Sequence, residues 1–265
     1  MSLLAVLFSI TVAFTVIMTA AWLVQQRTGN SGWVDTIWTF GLGAVGFVAA
    51  LWPLSAPASA RQMAVAALVA VWSLRLGLHI GFRTARIDDD PRYNALTRQW
   101  GSDAPRRMFV FLMKQAAGSV PLAFCIFIAA HHPAHGLRWQ DFLGFAVLAA
   151  GILGETAADR QLRAFRSDPA NRGRVCDAGL WRFSRHPNYF FEWFCWLAYP
   201  LIAIDLTGSY PAGWLALMGP AFMYFFLVHG TGIPYLEDHL PRSRGEAFLR
   251  YRARTNAFFP GPPKN

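Results

Sequence analysis

A polar connector that leads directly into an apolar segment carries the residues best suited to chemistry. Residues 179–189 read GLWRFSRHPNY, and the apolar segment that follows contains the carboxylate of Glu192. Burying a charge in hydrocarbon is costly, so an ionisable residue in such a segment usually serves a function. Pro187 favours the first turn of a helix, whose amino end attracts anions, and Arg182 and Arg185 have the geometry to bind a phosphate. The alternative is a positively charged membrane flank with a helix cap.

The composition of the chain is typical of an integral membrane protein. Of its 265 residues, 54% are apolar, 15% are charged and 11 are Trp, which is more apolar and less charged than a soluble domain. A helix of about 20 apolar residues is long enough to cross a bilayer. The sequence therefore predicts an all-α membrane protein with about seven transmembrane helices in one bundle domain over residues 1–265. The predicted spans are residues 3–24, 32–53, 62–82, 109–130, 139–158, 189–204 and 210–228.

Lys and Arg lie almost entirely on one side of the predicted bundle. Twenty lie on the side that contains the long loops, and two, Arg61 and Arg138, lie on the other. Because positive residues stay in the cytoplasm, this bias predicts an amino terminus outside, a cytoplasmic carboxyl terminus and a cytoplasmic tail over residues 231–265. The net charge of +9 follows from this topology and does not indicate a nucleic-acid partner.

Two other patterns do not predict a cofactor or metal site. The match to GxGxxG at residues 41–46 lies inside a predicted span, and no acidic residue follows it before Asp88. It therefore indicates close helix packing instead of a dinucleotide fingerprint. The three histidines of the loop 131–138 have no acidic residue or Cys within that loop, and the three cysteines are far apart. We therefore expect a solvated loop and no metal site.

Ionisable residues in the predicted spans gather toward the cytoplasmic ends of several helices. Residues spaced by four share one helical face, and polar residues within spans normally face the bundle interior. We therefore expect one polar cavity that opens to the cytoplasm, with arginines suited to the phosphates of a nucleotide. Structural ion pairs, such as Arg163 with Asp159, would account for part of the set. The set comprises Asp35, Arg75, His79, Arg83, Glu155, Asp159, Arg163, Arg166, Asn188 and Glu192.

These residues form a pattern that resembles the membrane steroid 5-alpha-reductase family, and in particular its bacterial DUF1295 branch. The most specific part is GLW followed by RHPNY and then Glu192, and the resemblance covers residues 31–260. The supporting matches are Asp159, Arg163 and Arg166 before that block, WSLRLGL at 72–78, DPRY at 90–93, and the tail residues Tyr251, Thr255 and Phe258 to Pro260.

The resemblance implies a bundle that binds NADPH from the cytoplasmic side and reduces a carbon–carbon double bond conjugated to a ketone. It implies an oxidoreductase of the 3-oxo-5-alpha-steroid 4-dehydrogenase type in a bacterial inner membrane, surrounded by membrane lipid, with a steroid or isoprenoid enone as substrate. The nucleotide contacts of the family carry over to five residues of this chain, and the connector supplies further candidates. The predicted cofactor-binding set is Arg83, Arg92, Asp159, Arg163, Arg166, Arg182, Arg185, His186, Asn188, Tyr189 and Glu192.

The resemblance also points to Asp35 as a catalytic residue. In eukaryotic members a carboxylate of the second span helps to polarise the substrate carbonyl, together with a tyrosine one turn before an Arg-Thr pair. Here the pair Arg83-Thr84 is preceded by His79 instead, and Tyr93 is the tyrosine that could substitute. Hydride addition to an enone pushes negative charge onto the carbonyl oxygen, which a hydrogen-bond donor stabilises. Asp35 would donate if protonated and would otherwise orient His79 or Tyr93, so these three are the predicted catalytic residues.

Two alternatives stay open. Membrane methyltransferases of the isoprenylcysteine or phospholipid type also carry Arg-His-Pro-x-Tyr before a late span, and they bind S-adenosylmethionine. The number of spans, the GLW lead-in, Asn188 and the excess of arginine favour the reductase. A non-enzymatic transporter would often show repeated halves and helices broken near the middle of the membrane. This chain shows no repeat, and its charges gather at one face.

Overall fold

The computed structural model describes residues 3–54, 57–230 and 232–264, and the regular secondary structure of these residues is helical throughout. The side chains of residues 239–244 lie outside that description. The prediction of an all-α protein is confirmed. The α-helices of the described residues are α1 (Leu3–Thr28), α2 (Gly32–Ala50), α3 (Ala60–Thr84), α4 (Pro91–Trp100), α5 (Ala104–Ala130), α6 (Trp139–Ser167), α7 (Pro187–Trp196), α8 (Ala198–Ala203), α9 (Met218–Tyr224) and α10 (Ile233–Arg254).

Six helical stretches of the described residues are long and apolar enough to cross a membrane, which identifies an integral membrane protein. The predicted span 189–204 is not among them, because it is divided between α7 and α8 at Leu197. Pro200 has no N–H to donate to the carbonyl of Trp196, so it fits the first turn of a new helix and cannot continue the old one. The count of seven crossings, and the orientation that depends on it, stay predictions. The six stretches are Leu3–Thr28, Gly32–Ala50, Ala60–Thr84, Pro91–Ala130, Trp139–Ser167 and Pro211–Asp238.

The chain divides into two compact units, and each is described by itself. The first unit comprises Met1–Gly144 and Tyr199–Phe222, and the second comprises Phe145–Ala198 and Met223–Asn265. The chain therefore passes between the units three times, within α6, within α8 and within α9.

Small residues let α2 pack closely within the first unit. A Cβ atom on Gly46 would lie 2.7 Å from Cδ1 of Ile126 on α5, and one on Gly43 would overlap the side chain of Ser73 on α3. Only glycine allows helices to approach this closely. The interpretation of the GxGxxG match as a packing motif is therefore confirmed.

Glycines also bring α6 and α7 together in the second unit. A Cβ atom on Gly151 would overlap the sulfur of Cys195, and one on Gly154 would overlap the ring of Phe191. The Cys195 thiol lies 3.7 Å from the carbonyl oxygen of Leu148, to which it donates. Glu155, four residues after Gly151, and Glu192, three residues before Cys195, therefore lie on the faces where α6 and α7 pack closely.

The loop between α5 and α6 is solvated in part, as the sequence predicts, since His135 and Leu137 are exposed, but a buried hydrogen-bond network lies beneath it. Arg61 donates to both oxygens of Asp141, at 2.8 and 3.1 Å, and to three backbone carbonyls of the loop. His132 is buried, and its Nδ1 accepts a hydrogen bond from the backbone N–H of Ala134 at 3.1 Å. Burial, together with the charges of Arg138 and Arg61, lowers the pKa of His132 to about 4. A single guanidinium, with five donors to satisfy, thus orders the whole loop.

Candidate functional site

In the first unit, the connector between α3 and α4 is fixed to the start of α2. The side-chain amide of Asn30 donates to the carbonyls of Thr84, at 3.1 Å, and Ile87, at 2.7 Å. Asp89 in turn accepts a hydrogen bond from the backbone N–H of Ser31 at 2.8 Å. These contacts place the amino end of α4 beside the first turn of α2, where the sequence predicts a catalytic acid.

Asp90 caps α4 and orients the arginine two residues later. Its Oδ1 accepts from the backbone N–H of Arg92 at 3.0 Å and from Nε at 2.9 Å, and its Oδ2 accepts from Nη2 at 2.8 Å. Burial raises the pKa of the Asp90 carboxyl, but the hydrogen bonds and charge of Arg92, with the charge of Arg83, outweigh burial and hold this pKa below its usual value. Asp90 lies outside the set of site residues predicted from the sequence, although an Asp before a Pro is typical of a helix start.

Asp35 receives hydrogen bonds from two residues of α4. Nη2 of Arg92 lies 2.5 Å from Oδ2 of Asp35, and the hydroxyl of Tyr93 donates to Oδ1 at 2.8 Å. Tyr93 is buried, whereas the side chains of Arg92 and Asp35 are 14% and 20% exposed. The structure thus brings together two of the three predicted catalytic residues, with Asp35 accepting at both oxygens. This arrangement fits the role of orienting Tyr93 better than the role of donor.

The remaining predicted residues of the first unit lie on α3. His79 is half-buried, and its catalytic role stays a prediction. Arg83 is exposed at the end of the helix, and its Nη2 lies 3.5 Å from Oδ2 of Asp90. Two predicted cofactor residues, Arg83 and Arg92, therefore share Asp90 as a partner within the chain.

Helix α5 contributes polar residues that the sequence analysis did not identify. The indole N–H of Trp38 donates to the hydroxyl of Ser119 at 2.8 Å, and this hydroxyl donates to the backbone carbonyl of Gln115 at 2.7 Å. One turn before Gln115 on the same helix, the ring of Phe111 meets that of Tyr93 edge-on, with centroids 6.1 Å apart. A search for ionisable groups within spans cannot find Ser or Gln, and no other sequence signal marks them.

In the second unit, the polar stripes of α6 and α7 meet. The side-chain amide of Asn188 donates to Oδ1 of Asp159 at 3.3 Å. One turn along each helix, Glu155 and Glu192 are both buried, and Glu192 accepts from the indole N–H of Trp196 at 3.1 Å. An amide beside a carboxylate presents the donors and acceptors that a ribose hydroxyl or a carboxamide needs.

Arg185, in contrast, is bonded to its own chain through every nitrogen of its guanidinium group. Nε and Nη2 donate to the two oxygens of Glu237 at 2.7 and 2.9 Å, and Nη1 donates to the carbonyls of Arg252, at 3.1 Å, and Thr255, at 2.5 Å. The side chains of Arg185 and Glu237 are only 9% and 10% exposed. The structure therefore engages Arg185 in contacts within the chain, which neither phosphate binding nor the alternative of a positively charged flank predicts.

His186 completes the same contact. Its Nε2 lies 2.9 Å from Oε1 of Glu237, and its ring stacks on Tyr189 with centroids 5.6 Å apart. Burial lowers the pKa of His186 below its ordinary value, although Glu237 opposes this shift. The neutral imidazole thus donates to Glu237 through Nε2. Three further arginines of the predicted cofactor set are exposed, and their roles stay predictions: Arg163, Arg166 and Arg182.

The helices and these polar clusters together define an integral membrane protein with paired ionisable side chains at helix ends. The chain belongs to the DUF1295 family, a family of proteins of unknown function, which matches residues 21–255. The resemblance to the DUF1295 branch is therefore confirmed, while the link to steroid 5-alpha-reductases stays a prediction. No curated protein matches the sequence.

Proposed function

We propose that this protein is an NADPH-dependent reductase that acts on a carbon–carbon double bond conjugated to a ketone. The observation that carries the proposal is the hydrogen bond of 2.8 Å from Tyr93 to Asp35, with Arg92 on the other carboxylate oxygen. The family resemblance requires a tyrosine beside the carboxylate of the second span. Tyr93 meets this requirement from a different position in the chain.

In this proposal Tyr93 binds the carbonyl oxygen of the substrate. Its hydroxyl proton, which Asp35 accepts in the structure, turns toward that oxygen by rotation about the C–O bond of the phenol. Arg92 keeps the carboxylate of Asp35 paired while Tyr93 turns away. The hydroxyl then stabilises the negative charge that develops on the oxygen as the β-carbon is reduced, and the α-carbon finally takes up a proton.

The residues of the second unit fit a nucleotide cofactor. The amide of Asn188 and the carboxylate of Asp159 lie side by side, and they would bind the ribose hydroxyls or the carboxamide of the nucleotide. Arg163 and Arg166 are exposed on the following turns of α6, and guanidinium groups bind phosphates in bidentate fashion. NADPH, when bound, supplies the hydride. Arg185 is left out of this set because its donors are engaged within the chain.

The membrane setting supports a lipophilic substrate. The described spans expose long apolar faces, so a steroid or isoprenoid enone would reach the protein from the lipid. The concentration of Arg and Lys on one side supports a cofactor site that faces the cytoplasm, in a bacterial inner membrane.

A cofactor titration separates this proposal from its alternatives. Purified protein in detergent is titrated with NADPH, NADH and S-adenosylmethionine while Trp fluorescence is recorded, and a panel of enones is then added with NADPH. We expect binding of NADPH and a loss of its absorbance that requires an enone. Binding of S-adenosylmethionine without NADPH would establish the methyltransferase instead. Protein that binds neither, yet moves a solute across liposomes, would establish a transporter.

Asp35→Asn links the activity to the cluster that carries the proposal. A group that acts mainly in the transition state lowers the turnover rate and the specificity constant together. We therefore expect slower single-turnover oxidation of NADPH by the variant, with unchanged affinity for NADPH. A variant that folds and reacts at the normal rate would leave Asp35 as a structural ion pair with Arg92.

A further inference from the structure

Helix α5 carries an exposed lysine within a membrane span. Lys114 lies ten residues after Ala104, the first residue of α5, which is about 15 Å along the helix. A charged side chain at this depth is unfavourable in hydrocarbon and normally has a partner. Among the residues that the structure describes, none forms an ion pair or a hydrogen bond with Lys114. We therefore expect a partner of negative charge from outside these residues.

The packing of α5 shows that Lys114 faces away from the interior of the first unit. Buried residues such as Met108 and Leu112 mark the inward face of the helix. At 3.6 residues per turn, one stripe of residues lies on the opposite side, and all its members are exposed. This outward stripe comprises Arg107, Val110, Lys114 and Ala117.

Two tryptophans indicate where the lipid headgroups lie along α5. The indole N–H of Trp22 on α1 donates to the carbonyl of Pro105 at 3.0 Å. On the other side of α5, the ring of Trp100 lies against that of Phe111, with centroids 6.3 Å apart. Because Trp is enriched at the level of the headgroups, the first two turns of α5 belong to this level. Lys114 lies deeper than both tryptophans, beside the acyl chains.

Arg107 and Lys114 can reach the same phosphate. They are seven residues apart on the outward stripe, which is about 10 Å along the helix. The side chain of Lys114 leans toward the amino end of α5, and its long methylene chain lets the ammonium group extend to the headgroup level. Nε of Arg107 lies 3.6 Å from Asp103 in an exposed ion pair, so its two Nη groups are left for a ligand.

We propose that the outward stripe binds one anionic phospholipid, with its phosphate between Arg107 and Lys114 and an acyl chain along Val110 and Ala117. Charge complementarity favours a headgroup of net negative charge, because a zwitterionic headgroup brings a cation of its own. A soluble anion is the wrong ligand, since it would have to enter the hydrocarbon to reach Lys114. This site is independent of the reductase activity.

Lipid binding to matched variants tests the inference. Purified protein in detergent is titrated with phosphatidylglycerol or with phosphatidylcholine of the same acyl chains, and native mass spectrometry measures the dissociation constant of the first retained lipid. Lys114→Met removes the charge and keeps an unbranched side chain. The control is Lys264→Met, because Lys264 is the only other lysine of the chain and is exposed in the tail. Lys114→Arg keeps the charge at the site.

We expect the unaltered protein to bind phosphatidylglycerol more tightly than phosphatidylcholine. Lys114→Met should weaken binding of phosphatidylglycerol about fivefold, the contribution of one basic residue near an anionic lipid surface, and should leave phosphatidylcholine unchanged. Lys264→Met and Lys114→Arg should behave like the unaltered protein. Arg107→Gln should also weaken binding of phosphatidylglycerol, and it provides the test if Lys114→Met does not fold.

Three results would overturn the inference. Equal affinity of the unaltered protein for the two lipids would show that the stripe does not recognise a negative headgroup. Equal losses in Lys114→Met and Lys264→Met would reduce the effect to the net charge of the protein. A dimer that forms in place of the lipid complex and is lost in Lys114→Met would make the outward stripe an interface between two copies of the chain.

Discussion

Two clusters of this protein are built from the same kinds of side chain, and their surroundings differ. In each, a guanidinium group and a third side chain both bond to one carboxylate. The Asp35 cluster of the first unit comprises Asp35, Arg92 and Tyr93, and the Glu237 cluster of the second unit comprises Glu237, Arg185 and His186.

The difference lies in what surrounds each ion pair. In the Glu237 cluster every guanidinium nitrogen bonds within the chain, and the carboxylate is half as exposed as that of Asp35. Beside the Asp35 cluster, Gln115 holds a buried oxygen that no described residue pairs. An arginine and an acid in contact therefore do not identify a ligand site. Exposure of the acid and an unpaired neighbouring group distinguish the Asp35 cluster, for which we propose a catalytic role, from the Glu237 cluster.

The largest expected effect is on stability, and it tests the structural role of the Glu237 cluster. Glu237→Gln leaves the guanidinium of Arg185 buried without its counter-charge, which should lower the free energy of unfolding by about 3–5 kcal/mol. Glu246→Gln is the control on the same helix, because Glu246 pairs with Arg250 on the exposed surface at 3.4 Å. That pair should contribute less than about 1 kcal/mol. Thermal unfolding in detergent measures both variants, and equal effects would remove the distinction between the two clusters.

Removal of the Tyr93 hydroxyl tests the catalytic role proposed for the Asp35 cluster. In the proposed reaction Tyr93→Phe removes the donor to the substrate carbonyl, so kcat should fall about 10²- to 10³-fold while the affinity for NADPH stays the same. Tyr210→Phe is the matched control, because the Tyr210 hydroxyl also lies in the first unit and donates to the carbonyl of Ile128 at 3.1 Å. If both variants lose the same activity, the effect of Tyr93 is structural.

A smaller effect concerns the nucleotide. In the proposed cofactor site, Asn188→Ala removes the amide that binds the nucleotide beside Asp159, so the variant should bind NADPH about 1–3 kcal/mol more weakly. Asn171→Ala removes a comparable amide, which donates to the carbonyl of Phe165 at 3.1 Å, and should leave the affinity unchanged. Fluorescence titration gives the two dissociation constants. Unchanged affinity in a folded Asn188→Ala would take this residue out of the cofactor site.

The smallest effect is a dependence of stability on pH that belongs to the Glu237 cluster. Burial holds the pKa of His186 below its ordinary value of 6.5, so the fold favours the neutral imidazole. The stability from this preference is fully present above pH 6.5 and is lost as the pH falls below it, since the unfolded chain then binds the proton more readily. Unfolding temperatures at about pH 7.5 and about pH 5.5 should differ less for His186→Gln than for the unaltered protein. Identical pH profiles would contradict this role.

The helices could be predicted from the sequence because membrane spans need only long apolar segments. The exception is the segment 189–204, which is apolar enough, but α7 ends at Trp196 and a new helix begins at Ala198, because Pro200 lacks the N–H that would continue α7. Hydropathy depends on side chains and not on backbone hydrogen bonds, so it does not predict the break between α7 and α8. Likewise, nothing in the spacing of the loop 131–138 shows that Arg61 would bond to three of its backbone carbonyls.

The candidate site could be predicted only in part. Asp35 stands out because an acid in an apolar segment is unusual, and Tyr93 was the tyrosine that could serve it. Their contact depends on Asn30 and Asp89, which bond to backbone groups far along the chain. For Arg185 the prediction and the structure differ. Its charge and position suggest a ligand site, but its carboxylate partner is Glu237, which lies 52 residues along the chain. Contacts of this kind, between residues far apart in the chain, do not produce a regular spacing of residue types in the sequence.

The division of the chain into units also sets an order of assembly during synthesis. Every residue of the Asp35 cluster, and Gln115 beside it, precedes position 144, within the first stretch of the first unit. The contacts of Arg185 require residues up to Thr255, which leave the ribosome more than a hundred positions later. Because chains fold from the amino end as they emerge, the Asp35 cluster can form well before the segment that completes the Glu237 cluster has been synthesised. A ribosome that stalls after α5 would therefore leave a chain that contains every residue of the Asp35 cluster and lacks the whole Glu237 cluster.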